Sequence, residues 1–242
     1  MHAMRSGLTR VASAPAVLAG AIAVLWWLEG PWNPRIMIAA FLLWAFLSGG
    51  VIDRYARGRP TRARGFFAAC GAHVSAMIRL GLAVGLAHAA LHATLGSRVD
   101  NPYVMAAAIV LLLVISAVGV YGQIRLVVED RRSALGALLA GARFARRNPA
   151  ALALVAVFAA LLWGATAAMA ALEPAPPDGA AAALHVAVRL AAVAYLALAL
   201  HAAGVVLFQS RLAHAGYTAG PPHEWPDSPA AEAIANAAHV PR

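Results

Sequence analysis

Six long apolar stretches, separated by short polar links, run along the chain. Each stretch is close to the ~20 residues that an α-helix needs to cross the hydrocarbon core of a bilayer. The pattern therefore predicts an all-α fold, a polytopic membrane bundle of six transmembrane helices. The predicted spans are residues 11–28, 34–51, 76–95, 103–122, 150–172 and 182–208.

The links between the spans fall into two chemical classes. Three short links contain Gly, Pro, Asn and acidic residues, whereas the two long links, 52–75 and 123–149, contain arginines. Of the 19 arginines, sixteen lie at the N-terminus, in or beside the two long links, or in the C-terminal tail. Because cytoplasmic segments carry the excess of positive residues, we expect both termini to be cytoplasmic. The expected location is the inner (cytoplasmic) membrane of a bacterium, which the chain would cross several times.

This orientation also predicts where the aromatic residues lie. Trp and Tyr are enriched at headgroup depth on both sides of a bilayer. Tyr55 and Tyr121 are therefore predicted at the inner headgroup level. The residues predicted at the outer level are Trp26, Trp27, Trp32 and Tyr103.

Each long link contains the pattern of a short amphipathic cytoplasmic helix, one before span three and one before span five. In the second link Ser133 suits an N-cap, arginines fill the last turn, and Asn148 followed by Pro149 ends the helix. In the first link, residues 65–75 form either a helix on the membrane surface or simply the cytoplasmic extension of span three.

A weak internal repeat relates the two halves of the chain. A shift of 71 residues places Gly65 on Gly136 and Arg54 on Arg125. In both halves an apolar span ends in an arginine-rich turn, a short helical segment follows, and the next span begins. The segments expected to be structurally equivalent are residues 34–95 and 103–172.

Composition and charge agree with a membrane protein. Hydrophobic residues make up 62% of the chain and charged residues 12%, whereas a soluble domain has roughly 45–50% apolar residues. The net charge of +9 comes from arginines beside the spans, so membrane topology explains it and binding of nucleic acid is not expected. The six-span domain is expected to cover residues 1–209, and residues 210–242 to form a mobile cytoplasmic tail.

The cytoplasmic arginines are candidates for contacts with anionic lipid headgroups of the surrounding bilayer. The candidate residues are Arg54, Arg57, Arg131, Arg132, Arg146 and Arg147. Contact with a protein partner or a second copy of the chain is a further expectation, because the spans are rich in small residues. Gly81 and Gly85, for example, give span three a face suited to close helix packing.

Ionisable side chains inside spans are costly, so each of them is a candidate for a function. His88 and His92 are four residues apart and share a face of span three, and His185 and Arg189 share a face of span six. If the two spans touch, these four side chains form an intramembrane polar cluster in the outer half of the bilayer. His201 lies at a different depth in span six.

Three functions and one structural role are open for this cluster. Imidazoles at this spacing can hold a transition metal, facing histidines can ligate a haem, and a His–Arg set can line a path for protons or an anionic solute. In the structural alternative, the histidines hydrogen-bond between helices and Arg189 reaches toward the membrane surface. The spans contain no carboxylate to complete a metal site, and Cys70 is the only cysteine. We therefore expect neither a bound metal nor another cofactor.

The sequence lacks the motifs of hydrolytic enzymes, namely HExxH, GxSxG and a Gly-rich phosphate loop followed by Lys. The leading hypothesis is therefore a non-enzymatic integral membrane protein that acts as a scaffold, a partner-binding subunit or a membrane-organising subunit. One alternative is a small permease that moves a solute through the His/Arg cluster. The other is a haem- or metal-binding membrane protein.

Two stretches of the chain resemble a known membrane domain. They are VVEDRRSALGALLAGARFARRNPAALAL, from Val127 on, and GRPTRARGFFAAC, from Gly58 on. With the spans around them, they resemble the membrane domain of glycerophosphoryl diester phosphodiesterase and related six-span bacterial families, over about residues 34–172. The resemblance implies a six-span membrane fold. It implies no catalytic residue, since no segment here is long enough for the separate catalytic domain that some relatives carry.

Overall fold

The computed structural model describes residues 34–57, 63–95, 100–172 and 179–214, together with Met4. Within these ranges the chain forms α-helices and no β-strand. The helices are α1 (Pro34–Arg57), α2 (Ala63–Leu95), α3 (Pro102–Val128), α4 (Ala134–Arg147), α5 (Pro149–Ala171) and α6 (Ala180–His214). The first predicted span, residues 11–28, lies outside the described residues.

Five of these helices contain segments long and apolar enough to cross a bilayer, and α4 is the sixth. The five segments are Ile38–Arg57, Ala63–Leu95, Pro102–Val128, Pro149–Ala171 and Leu184–Leu212. The chain is thus an all-α membrane protein, as the apolar pattern predicts.

Helices α1, α2 and α3 pack as successive antiparallel neighbours. Gly81 of α2 lies beside Phe41 near the start of α1, and Cys70 of α2 lies beside Gly50 near its end. The same reversal relates α2 to α3, where Val84 of α2 packs on Gly119 of α3. The small residues allow the helix backbones to approach closely, which is how membrane helices gain van der Waals contact.

Helix α2 is a single unbroken helix of 33 residues. At 1.5 Å per residue it is about 50 Å long, which exceeds the ~30 Å thickness of the hydrocarbon core. Residues 65–75 are therefore the extension of span three, and these residues do not form the separate amphipathic helix predicted before that span. The sequence between Gly65 and Met77 has no proline to break the helix.

In the second half of the chain, by contrast, α4 is separate from α5. Ser133 is the N-cap of α4, and its Oγ accepts a hydrogen bond from the Gly136 amide at 3.1 Å. Asn148 ends α4 with φ −128° and ψ 87°, and Pro149 begins α5. This matches the steric rule that a residue before proline avoids the helical region. The repeat of residues 34–95 and 103–172 stays a prediction.

The tyrosines at the inner ends of the predicted spans lie in the core of the bundle. Tyr55 and Tyr121 are both almost completely buried against neighbouring helices. Their predicted depth, at the inner headgroup level, stays a prediction. Tyr121 packs on Phe144 of α4 with ring centroids 4.8 Å apart, and Phe144 packs on Phe208 of α6 at 5.2 Å. Tyr103, at the start of α3, is exposed.

The chain divides into two compact units, of which the first ends at Phe208 and the second begins at Gln209. The contacts described below belong to the first unit. The expected mobile tail, residues 210–242, lies outside the described residues from residue 215 on.

Candidate functional site

Within the predicted outer cluster, His88 has partners on α2 and α3. Its Nδ1 lies 2.9 Å from the carbonyl oxygen of Val84, and its Nε2 lies 3.3 Å from the hydroxyl of Ser116. Because a carbonyl oxygen only accepts, Nδ1 is the donor, and a neutral ring then accepts from the Ser116 hydroxyl at Nε2. Both ring nitrogens are satisfied by this arrangement, in which His88 joins α2 to α3.

The other three residues of that cluster are placed differently. His92 is exposed on α2, whereas His185 and Arg189 are half-buried on α6. Arg189 also interacts with another group, so it is not without a partner. Within the described ranges, no group of three or more His, Cys, Asp or Glu is placed to hold a metal ion.

A second polar site lies deeper, between α6 and α3. His201 is only 8% exposed. Its Nδ1 lies 2.8 Å from the carbonyl oxygen of Ala197, and its Nε2 lies 2.9 Å from Oε1 of Gln123. The edge of the Trp44 ring on α1 packs against it, with centroids 6.1 Å apart. His201 therefore links three helices.

The hydrogen bonds of His201 can be made in two ways. A charged ring donates to Ala197 through Nδ1 and to Gln123 through Nε2. A neutral ring keeps the bond to Ala197 and accepts at Nε2 from the Gln123 amide group, with the amide nitrogen turned toward it. In both arrangements the pair is satisfied, so α6 stays attached to α3.

Sequence reasoning missed this pair. It identified His201 as an ionisable residue in a span but gave it no partner, and it did not single out Gln123. The two residues are 78 positions apart, so no local spacing connects them. The available signal was a lone amide side chain near the end of a long apolar run, which in a membrane must find a partner.

A third site, at the end of α3, is built around Arg125. Its Nε and Nη2 donate to Oε1 of Glu129 at 2.9 and 2.6 Å, and its Nη1 donates to the carbonyl oxygen of Ala140 on α4 at 2.9 Å. The guanidinium carbon lies 5.5 Å from the centroid of the Phe208 ring on α6. One side chain thus connects α3, α4 and α6, and its charge is balanced locally.

Glu129 accepts from two arginines. Besides Arg125 it pairs with Nε of Arg131. Partial burial alone would raise the pKa of this carboxyl, but the hydrogen bonds and the positive charges of Arg125 and Arg131 hold the pKa below its ordinary value. Glu129 is therefore an anion that fixes the turn between α3 and α4, where Asp130 adopts φ 48°.

The structure separates the arginines predicted to contact lipid headgroups into three groups. Arg57 pairs with Asp53 at 2.9 Å, and Arg131 pairs with Glu129. Arg54 is half-buried. The exposed residues of the set, outside these two ion pairs, are Arg132, Arg146 and Arg147.

Helix α4 has one face that packs on the bundle and one that does not. The packed face consists of Ala134, Ala137, Ala140, Gly141, Phe144 and Ala145. On the other face Leu135 is 70% and Leu139 is 61% exposed. Arg143 and Arg146 are also exposed.

No family model matches the chain, and no curated protein and no solved structure is significantly similar to it. The resemblance of residues 34–172 to the membrane domain of glycerophosphoryl diester phosphodiesterase therefore stays an expectation drawn from the two stretches that carry it. The features of the molecule that bear on function are the three polar sites and α4.

Proposed function

We propose that the chain is a non-enzymatic scaffold of the bacterial inner membrane, which binds partners or organises the membrane at its arginine-rich side. In this proposal a sixth span at residues 11–28 precedes the five described candidate spans. An even number of spans brings both termini to the arginine-rich side, which is then the cytoplasmic side.

The observation that carries the proposal is the way Arg125 holds α4 against the bundle. Its bonds to Glu129 and Ala140 and its contact with Phe208 fix α4 between two candidate spans. The result is a firmly attached helix at the end of a membrane bundle. Such a helix is suited to present a surface, whereas a transport path would require polar groups that line an opening.

The polar side chains of the spans support the same proposal. His88 is bonded to Val84 and Ser116, and His201 to Ala197 and Gln123. Their hydrogen-bonding groups are used in holding neighbouring helices together. The permease alternative would need His88 to share one path with His185 and Arg189, and the partners of His88 lie on α2 and α3 instead.

The scaffold proposal can be tested by chemical cross-linking in cells followed by purification of the full chain. We expect a defined neighbour, either another protein or a second copy, that is lost when Gly141→Leu displaces α4. The matched control is Gly164→Leu, since a Cβ atom at Gly164 would have no atom within 4 Å. A neighbour retained equally by both variants would argue against a role for α4.

The permease alternative makes the opposite prediction. It requires solute flux in proteoliposomes that is abolished by His88→Ala or Arg189→Leu without loss of expression. Such a flux would overturn the scaffold proposal.

A further inference from the structure

The unpacked face of α4 carries both apolar and positively charged side chains. At 100° per residue, Leu135, Leu139, Arg143 and Arg146 fall within an arc of about 80°. The leucines occupy the first half of the helix and the arginines the second half. The packed residues lie on the other side, so the arc containing the leucines and arginines points away from the bundle.

The position of α4 in the chain confines it to one membrane surface. The candidate span of α3 ends at Val128, α4 begins at Ala134, and the next candidate span begins at Pro149. Gly141 rests on the backbone of Gly122, which lies about 9 Å along α3 from Val128. The middle of α4 therefore packs beside the apolar segment of α3 and not beyond its end.

The charge around this face is positive. Arg132 and Arg147 flank it and are exposed. The nearby carboxylate of Glu129 is already bonded to Arg125 and Arg131. A surface with exposed leucines and positive charge complements an anionic leaflet, because arginine stems lie along the acyl boundary while the guanidinium groups reach lipid phosphates.

We propose that the face formed by Leu135, Leu139, Arg143 and Arg146 docks on anionic lipid of the leaflet on the arginine-rich side. Leu135 and Leu139 insert at the acyl boundary, and Arg143 and Arg146 bind phosphate groups. This lipid docking rests on the proposed scaffold function. It adds to that function a specific ligand for α4, namely anionic lipid. The set of arginines proposed to contact lipid therefore changes. Arg143 is added to it, and Arg57 and Arg131 are removed because both are in ion pairs.

The experiment uses the full chain in vesicles of phosphatidylcholine, with and without phosphatidylglycerol. A fluorophore is attached at Leu139→Cys in a Cys70→Ala background and is quenched by acyl chains brominated on one lipid or the other. We expect stronger quenching by brominated phosphatidylglycerol than by brominated phosphatidylcholine. The matched control is Leu172→Cys, which is exposed at the end of α5, has no arginine near it in the sequence and should be quenched equally by both lipids.

Substitution of the arginines tests whether their charge causes the preference for phosphatidylglycerol, as distinct from simple closeness of the fluorophore to lipid. Arg143→Gln and Arg146→Gln should each lower the preference for phosphatidylglycerol by about fivefold, given ~1 kcal/mol per arginine at an anionic surface. Arg57→Gln, which removes the arginine paired with Asp53, should leave the preference unchanged.

Two results would overturn the lipid proposal. One is equal quenching at Leu139 by both brominated lipids in the unsubstituted arginine background, a result that does not depend on how any arginine variant folds. The other is a fluorophore at Leu139 that no lipid quenches because a second copy of the chain covers it. The second result would leave the scaffold function standing. Conversely, a chain that cross-links to no neighbour in cells would overturn the scaffold function and leave the quenching result unaffected.

Discussion

Gly141 of α4 lies against Gly122 of α3 so closely that a Cβ atom on Gly141 would stand 2.7 Å from the Gly122 amide nitrogen. The carbonyl oxygen of Val118 would be only 2.9 Å away. Both neighbours are backbone atoms of a helix, so neither can rotate aside as a side chain would. The docking of α4 therefore depends on the absence of a side chain at this position.

Gly141→Ala should consequently destabilise the protein by about 1–3 kcal/mol, the usual range for overpacking a tight contact. Gly164→Ala is the control, because nothing lies within 4 Å of a Cβ atom there and alanine is the better helix former by roughly 1 kcal/mol. Thermal unfolding in detergent measures both. Equal melting temperatures for the two variants would contradict the close contact between α3 and α4.

The buried pair of His201 and Gln123 should behave as one unit. Replacing either residue by leucine leaves the other polar group buried without its partner, so each single variant should be less stable than the parent. The double variant should lose less than the sum, with a coupling of about 0.6–1.7 kcal/mol, as found for hydrogen bonds between membrane helices. A double-mutant cycle of unfolding free energies measures this coupling.

His92→Leu serves as the control for this cycle because His92 is exposed on α2. It should change stability little, and it should be additive with Gln123→Leu. Additivity between His201→Leu and Gln123→Leu as well would show that the pair does not hold α6 to α3.

The ion pairs of Glu129 predict a loss of stability in acid. The pKa of Glu129 is lower in the folded chain than its ordinary value of 4.5. The contribution of Glu129 to the stability of the fold is therefore complete above pH 4.5. It is lost as the pH falls through the lowered pKa that Glu129 has in the folded chain. Protonation removes the anion that binds Arg125 and Arg131, so α4 should detach first.

Limited proteolysis within α4, followed with a protease that stays active from acid to neutral pH, detects the detachment. Glu129→Gln should be cut readily at neutral pH and show little further change in acid. Asp130→Asn is the matched control. Asparagine tolerates the φ of 48° at this position, and the substitution leaves both ion pairs of Glu129 in place. An Asp130→Asn profile like that of Glu129→Gln would assign the acid sensitivity to the turn as a whole.

The proposed orientation predicts one-sided labelling. In a Cys70→Ala background, cysteines introduced by Pro60→Cys and Arg131→Cys should react with a membrane-impermeant reagent only after the cytoplasmic side is opened. Labelling of either position in intact spheroplasts would reverse the orientation.

The apolar pattern predicted the described helices well because the length of a span is a local property. The fifth predicted span, residues 150–172, differs by one residue at each end from the helix Pro149–Ala171. Ser133 and Asn148–Pro149 likewise predicted the limits of α4, since capping and proline sterics act over a few residues.

The sequence could not show which face of each span meets protein and which meets lipid, because both are apolar. Tyr55 and Tyr121, for example, are buried between helices, and the apolar pattern did not indicate this. The partner of His201 is on another span, so the pairing depends on how the helices pack. The His/Arg cluster likewise requires a contact between span three and span six and stays a prediction, and the bond from His88 to Ser116 on α3 was not indicated by any local spacing.

The difference between the unbroken α2 and the divided α4–α5 pair has a mechanical consequence. The angle between α4 and α5 is set at Asn148, because Pro149 has no amide hydrogen to continue the hydrogen-bond ladder there. Helix α2 has no such joint, and it acts as a lever. A tilt of about 5° at its Ala63 end would displace its Leu95 end by about 4 Å, given 1.5 Å per residue. Helix α2 therefore couples the two ends of its length, whereas the break at Asn148 leaves α4 to be held by its own contacts with α3 and α6.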